Sequence, residues 1–183
     1  GKGGSWRAAP LLPAGPSKPP PTELSHVAGA TGRLRNRGER LSFTGEYRHT
    51  IDTKGRLIVP SRLRDELEED KVVLTIWPEG CISFWSGDGW RELEQRLLEQ
   101  RRNSPASRST VRNIAAKAHT DHVDRQGRIG VPQHLRDFAG ITKECVVIGA
   151  LDHGEIWSPE RWRPEEDKVA EGGLDELFGE LTI

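Results

Sequence analysis

The sequence predicts an α+β chain, mostly β, in which two copies of one small unit pack together as a pseudo-dimer joined by a helical linker. Two observations carry that prediction. The first is a duplicated motif: Asp52-Thr53-Lys54-Gly55-Arg56-Leu57-Ile58-Val59-Pro60 returns 72 positions later as Asp124-Arg125-Gln126-Gly127-Arg128-Ile129-Gly130-Val131-Pro132. The shift then holds without a gap, since Leu63-Arg64-Asp65 returns as Leu135-Arg136-Asp137, Ile76 as Ile148, Trp85-Ser86 as Trp157-Ser158 and Trp90 as Trp162. A constant offset over that length is an internal repeat rather than a coincidence of composition. The second observation is size. Each copy has too few residues to bury a core by itself, and two copies in one chain can pack against each other. That packing would place the two Gly-Arg turns side by side about a pseudo-twofold axis.

The elements follow in chain order. Residues 1–42 hold a Pro- and Gly-rich stretch, including Pro10, Pro13, Pro16, Pro19, Pro20 and Pro21. Such a stretch breaks helices, removes ladder donors and offers little for a core, so it reads as a disordered tail. Its Arg33-Leu34-Arg35-Asn36-Arg37 run reads either as a phosphate-brushing arm or as a solvated tail. Ordered structure is expected from Phe43. The β-favouring run Glu46–Ile51 leads into a turn at Thr53-Lys54-Gly55, and Arg56–Val59 forms a short second strand that Pro60 ends. Arg62–Leu67 places Leu63 and Leu67 on one face of a short helix. Lys71–Trp77 reads as a buried strand, and Cys81–Trp85 as an alternating fourth strand after the Pro78-Glu79-Gly80 turn. Each unit is thus predicted as hairpin, short helix, hairpin.

Ser86 is placed to cap a helix bearing Trp90, Leu93, Leu97 and Leu98. Asn103 or Ser104 breaks it, and Pro105 suits the first turn of a second linker helix lined by Val111, Ile114, Ala115 and Ala118. The second unit repeats the first: strand 119–123, the turn at Gly127, strand 128–131, helix 133–138 and strands 145–150 and 154–157. Ser158-Pro159-Glu160 starts another helix, and Leu174, Leu177, Phe178 and Leu181 suggest a terminal amphipathic piece. The division is a tail at 1–42, a first domain at 46–90, a helical linker at 91–117, a second domain at 118–162 and an acidic extension at 163–183.

Charge bounds the function. The 183 residues carry 27 Lys and Arg against 28 Asp and Glu, for a net charge of −1. The tail is basic and the last twenty residues are acidic, which leaves the duplicated middle close to neutral. A neutral module binds nucleic acid only if its bases gather on one face. Cys81 and Cys145 are too few for a disulfide framework or a thiolate zinc site and occupy non-equivalent positions, so they read as small buried residues in a reducing cytosol. No apolar run approaches a bilayer span and no signal sequence opens the chain. The absence of Met leads to the expectation that residue 1 is not a translated start.

The motif has a mechanical reading. Gly55 and Gly127 allow a tight turn. Asp52 and Asp124 can accept hydrogen bonds from the turn backbone or pair with Arg56 and Arg128, which fixes each arginine on a hairpin. At this point the chain resembles the MraZ family of bacterial transcriptional regulators. The resemblance is carried by Phe43-Thr44-Gly45-Glu46-Tyr47, Asp52 to Arg56, Val59-Pro60, Asp124 to Arg128, Pro132-Gln133-His134-Leu135-Arg136 and Glu155-Ile156-Trp157, and it covers residues 43–163. It implies two tandem swapped-hairpin units of the SpoVT-AbrB type forming a double-psi-like barrel. It also implies a cytoplasmic, nucleoid-associated homo-oligomer, ring-like, that binds repeated promoter elements of a cell-division and cell-wall gene cluster, usually as a repressor. The expected partner is double-stranded DNA, with no cofactor, metal, membrane or small-molecule substrate. The residues expected at DNA are Asp52, Lys54, Gly55, Arg56, Arg62, Arg64, Asp124, Gln126, Gly127 and Arg128. Because Gln126 stands where the first copy has Lys54, the first copy is expected to supply more phosphate affinity.

Other readings are weaker. Arg62, Arg64 and Arg136 read equally well as ordinary exposed helix residues. His119, Asp121, His122 and Asp124 suggest a metal cluster, but on a strand 119 and 121 face away from 122 and 124. No phosphate loop, Gly-x-Ser-x-Gly or catalytic Cys/His spacing is present, so an enzyme is not expected. The alternative function is an antitoxin-like protein whose acidic C-terminal tail wraps a protein partner.

Overall fold

A computed structural model describes residues 42–67, 70–170 and 179. The expected tail and terminal helix lie outside the described residues, apart from Ser42 and Gly179. In chain order the elements are β1 (Glu46–Thr50), β2 (Arg56–Ile58), α1 (Ser61–Arg64), β3 (Lys71–Ile76), β4 (Ile82–Ser86), α2 (Gly87–Gln100), α3 (Pro105–Lys117), β5 (His119–His122), β6 (Arg128–Gly130), α4 (Gln133–Ala139), β7 (Glu144–Gly149), β8 (Gly154–Trp157) and α5 (Pro159–Ala170). The α+β class read from the sequence is the class observed.

The second hairpin of each copy forms as read, β3 with β4 and β7 with β8, but the first two strands of each copy pair with the other copy. A six-stranded antiparallel sheet runs β1-β7-β8-β4-β3-β5, and β2 pairs with β6 in a second, two-stranded sheet. The expected hairpin of β1 with β2 is therefore confined to its turn, where Asp52 N–H donates to Arg56 O and Ile51 bridges Leu57. Beyond the turn the two strands part, β1 to β7 and β2 to β6. The reason is length. A three-residue strand with Leu57 facing inward and Ile58 outward finds its matching apolar face on the other copy.

The 72-residue shift maps this pairing onto itself. In the small sheet Arg56 pairs with Gly130, Leu57 with Ile129 and Ile58 with Arg128, and exchanging the copies returns the same three pairs. In the large sheet β4 and β8 meet at Ile82–Ile156, Ser83–Glu155 and Phe84–Gly154, which behave likewise. The pseudo-twofold axis therefore passes through the Leu57–Ile129 pair and the Ser83–Glu155 pair.

One core lies between the sheets and the short helices. It includes Leu57, Val59 and Leu63 with their counterparts Ile129, Val131 and Leu135, all buried. Phe43 closes it by an edge-to-face contact with Phe84 at 5.9 Å. Strand β4 is buried along its whole length instead of alternating, because α2 and the Trp77–Trp85–His153 stack cover its second face. A smaller cluster of Cys81, Val146 and Trp157 with Trp77, Ile148 and Trp162 lies apart from the main core. Cys81 and Cys145 are free and buried, and burial pushes the Cys145 thiol up to about 12 and Cys81 higher.

The linker helices start where side-chain oxygens can satisfy their first N–H groups. Ser86 Oγ accepts from Gly89 N, and Ser104 Oγ accepts from Ser107 N ahead of Pro105. Helix α2 spans residue 90, and its expected stripe keeps Leu93 buried and Trp90 and Leu97 partly buried but loses Leu98, which is exposed. Thr75 Oγ1 donates to Ile114 O at 2.7 Å and ties α3 to β3.

Leu57→Ala is expected to lower unfolding free energy by about 2–5 kcal/mol, since it empties the contact on the axis. The neighbouring Ile58→Ala, on the solvent face, should stay within about 0.5 kcal/mol. Denaturant unfolding of the two variants checks this.

Candidate nucleic-acid interface

Each Gly-Arg turn is built around one carboxylate. Asp52 Oδ1 accepts from Lys54 N and Arg56 N, both at 2.9 Å. Its Oδ2 accepts from Arg56 Nε at 2.9 Å and Nη2 at 2.8 Å. The second turn repeats this: Asp124 Oδ1 takes Gln126 N at 2.8 Å and Arg128 N at 3.0 Å, and Oδ2 takes Arg128 Nε at 2.8 Å and Nη2 at 2.6 Å. The two roles left open for the aspartates are thus both filled, one by each oxygen. Gly55 and Gly127 close the turns at φ +76° and +77°, a left-handed conformation that glycine adopts freely.

The turns are also stitched to the opposite copy. Val131 N donates to Gly55 O at 2.7 Å, and Val59 N donates to Gly127 O at 2.9 Å. Each turn therefore stands at the end of the other copy's short strand.

These bonds fix the electrostatics. Hydrogen bonds from the Arg56 backbone and then its side chain hold the Asp52 carboxyl below its ordinary value of 3.8. The Arg128 side chain and then its backbone take Asp124 down to about 2. Arg56 and Arg128 remain partly open, with 33% and 23% of their side chains exposed. The fork to Asp uses Nε and one Nη2 hydrogen, and a guanidinium carries five donors, so the other edge can meet an anion.

Of the other residues read as DNA-facing, Lys54 and Gln126 are exposed at the turn tips. Arg64, half-buried at the end of α1, lies against Gly127 of the second turn. Arg62 is exposed on α1 and takes no part in the hydrogen bonds of either turn among the described residues. Two residues outside the set expected at DNA also lie at the turns. Arg125 is exposed at the tip of the second turn, where the first copy has Thr53. It balances the substitution of Gln126 for Lys54, so each tip carries one cation, and alignment of the two motifs was signal enough. Arg136 lies against Gly55, a proximity no local pattern reveals. Among the described residues no carboxylate is within ion-pair distance of Lys54, Arg62, Arg64, Arg125 or Arg136. No group of three or more His, Cys, Asp or Glu among them could hold a metal ion, and none of their helices is long and apolar enough to cross a membrane.

Both aspartates have folded-state values below 3.8, so their contribution to stability is complete above that pH and is lost as pH falls through the depressed values. Carboxyl carbon shifts should show Asp124 titrating near 2 and Asp52 below 3.8. Midpoints at or above 3.8 would mean that the carboxylate forks do not persist in solution.

The family description "MraZ protein, putative antitoxin-like" matches residues 42–113 and, separately, residues 114–180. Relatives named transcriptional regulator MraZ are 41% identical over 135 residues in Ligilactobacillus salivarius, covering 74% of this chain and 93% of that protein. In Lactobacillus helveticus the identity is 40% over 129 residues, covering 70% and 90%. In Lachnoclostridium phytofermentans it is 45% over 123 residues, covering 66% and 84%. These are names of regulators, not of enzymes. The chain belongs to the MraZ family of transcriptional regulators.

Proposed function

We propose that the chain is a sequence-specific double-stranded DNA-binding regulator whose reading surface is the pair of Gly-Arg turns. The observation that carries this is the paired fork. In both copies a depressed aspartate holds an arginine at a fixed, partly exposed place, and the turn tips add Lys54 and Arg125, with no counter-anion among the described residues. A guanidinium held by one edge can present the other to phosphate or to the O6 and N7 of guanine. The nearly neutral net charge of −1 makes binding by one chain weak, and repetition at regular spacing supplies avidity. We extend the reading to a ring-like homo-oligomer in the cytoplasm and nucleoid, acting on repeated promoter elements of a cell-division and cell-wall gene cluster as a repressor. The strand exchange supports reading the two copies as the swapped-hairpin, double-psi-like barrel expected of the family.

The second reading is an antitoxin-like protein that holds a protein partner through its C-terminal tail. The words "antitoxin-like" in the family description favour it. Deleting residues 171–183 separates the two: the DNA reading expects duplex binding to survive, and the antitoxin reading expects capture of a partner to be lost.

The test is titration of a duplex from upstream of the chain's own gene at several salt concentrations. Arg56→Ala and Arg128→Ala should each fold and lose about 1–3 kcal/mol of specific binding. Lys54→Ala and Arg125→Ala should each lower the slope of log K against log salt by about one per bound chain and spare sequence preference. Arginine variants that fold and bind as well as the wild type would make the forks purely structural.

A further inference from the structure

Against each Gly-Arg turn lies an arginine of the other copy. Arg136, in α4, brings its Nη2 to 3.1 Å and its Cζ to 3.5 Å from where a Cβ on Gly55 would stand. Its Nε donates to Val131 O at 3.0 Å, and Val131 N in turn donates to Gly55 O. Arg64, the equivalent residue of the first copy, lays Nη1, Cζ and Cδ against Gly127, where a Cβ would displace the guanidinium. The left-handed turn requires both glycines, and the arginine of the other copy crosses over each of them.

The chemistry of these arginines differs from that of Arg56 and Arg128. The motif arginines are each committed to an aspartate, whereas Arg64 and Arg136 rest on neutral backbone, with no carboxylate within ion-pair distance among the described residues. A half-buried guanidinium with no carboxylate partner among the described residues keeps its charge for an outside anion. The position is basic in both copies, unlike that of Arg62, whose counterpart is His134.

We propose that each DNA-contacting site is composite, with the Asp-Arg hairpin of one copy completed by an arginine of the other. This rests on the DNA-binding reading above. The first site joins Lys54 and Arg56 to Arg136, and the second joins Arg125 and Arg128 to Arg64. Each has three cations and one aspartate, so the sites carry equal charge although their sequences differ. Neither copy builds a site alone. Arg136, held through Nε by Val131 O, and Arg64, laid against Gly127, are assigned to the phosphate beside the base step that the motif arginine reads.

The experiment uses the full chain, a duplex from upstream of its gene, the four single variants Arg56→Ala, Arg64→Ala, Arg128→Ala and Arg136→Ala, and their double variants. Residues that serve one site couple, and independent sites multiply within about twofold. Arg56→Ala with Arg136→Ala, and Arg128→Ala with Arg64→Ala, should therefore fall short of the product of the single losses by at least about threefold. Arg56→Ala with Arg64→Ala should give the product. Coupling within a copy instead, or multiplication in every pairing, would overturn the composite site. Amide hydrogen exchange without DNA gives a separate readout. Arg136→Ala should speed exchange in residues 52–57 and spare 124–129, and Arg64→Ala should do the reverse. Each variant loosening its own copy's turn would also overturn the proposal. If exchange follows the cross-copy pattern while wild-type chain binds no duplex, the DNA reading fails and takes the site's role with it, and the packing stands.

Discussion

The pairing of β2 with β6 is the constraint on which the rest of the structure depends. Each strand has only three residues, and each inward residue, Leu57 or Ile129, is buried against the other copy. A strand this short has too little apolar surface to be held by its own hairpin. Once β2 and β6 are joined, β1 and β5 are carried outward to β7 and β3, and the six-stranded sheet follows. The turns at Gly55 and Gly127 are then the points where each copy hands its chain to the other, which is why their carbonyls accept from Val131 and Val59 of the opposite copy.

The turn reconciles two readings that looked like alternatives. An aspartate that holds turn backbone is structural, and an arginine fixed for contact is functional. Here one carboxylate does both, because its two oxygens face different ways. The cost is that part of each guanidinium is spent on the fork. The benefit is that little side-chain freedom is left to lose on contact with a ligand. The stability contributed by forks that are this exposed is modest. They are better understood as positioning devices on a framework that the buried core holds.

The duplication is not a perfect symmetry. On the axis Ser83 faces Glu155, and the side chains around them differ: Trp85 Nε1 donates to Ser83 Oγ, while Trp157 Nε1 donates to Glu155 Oε2. His153 fills the place of Cys81, stacks on Trp85 at 4.3 Å and bonds Asp152 and Glu155. Burial lowers the pKa of His153, but those two carboxylates outweigh it and leave it raised. Drift of this kind concentrates away from the motif, whose carboxylate, glycine and arginine are retained in both copies. At the turn tips Thr53-Lys54 and Arg125-Gln126 differ in order and agree in charge.

By itself the sequence determined what local chemistry and the repeat could encode. The strands lie where β-favouring runs were read, Ser86 and Ser104 cap the linker helices, and both turns form at the glycines with their Asp-Arg pairs. These depend on interactions spanning four residues or fewer, and a local pattern can specify those. The β3–β4 and β7–β8 hairpins follow the order read from the sequence, whereas the tertiary structure alone decided the partners of β1, β2, β5 and β6. An antiparallel strand of period two matches any partner with the right face, so β2 gave no sign that it would choose β6 over β1. The same limit hid the full burial of β4, which depends on what covers its second face, and the approach of Arg136 to Gly55, two residues 81 positions apart in the chain.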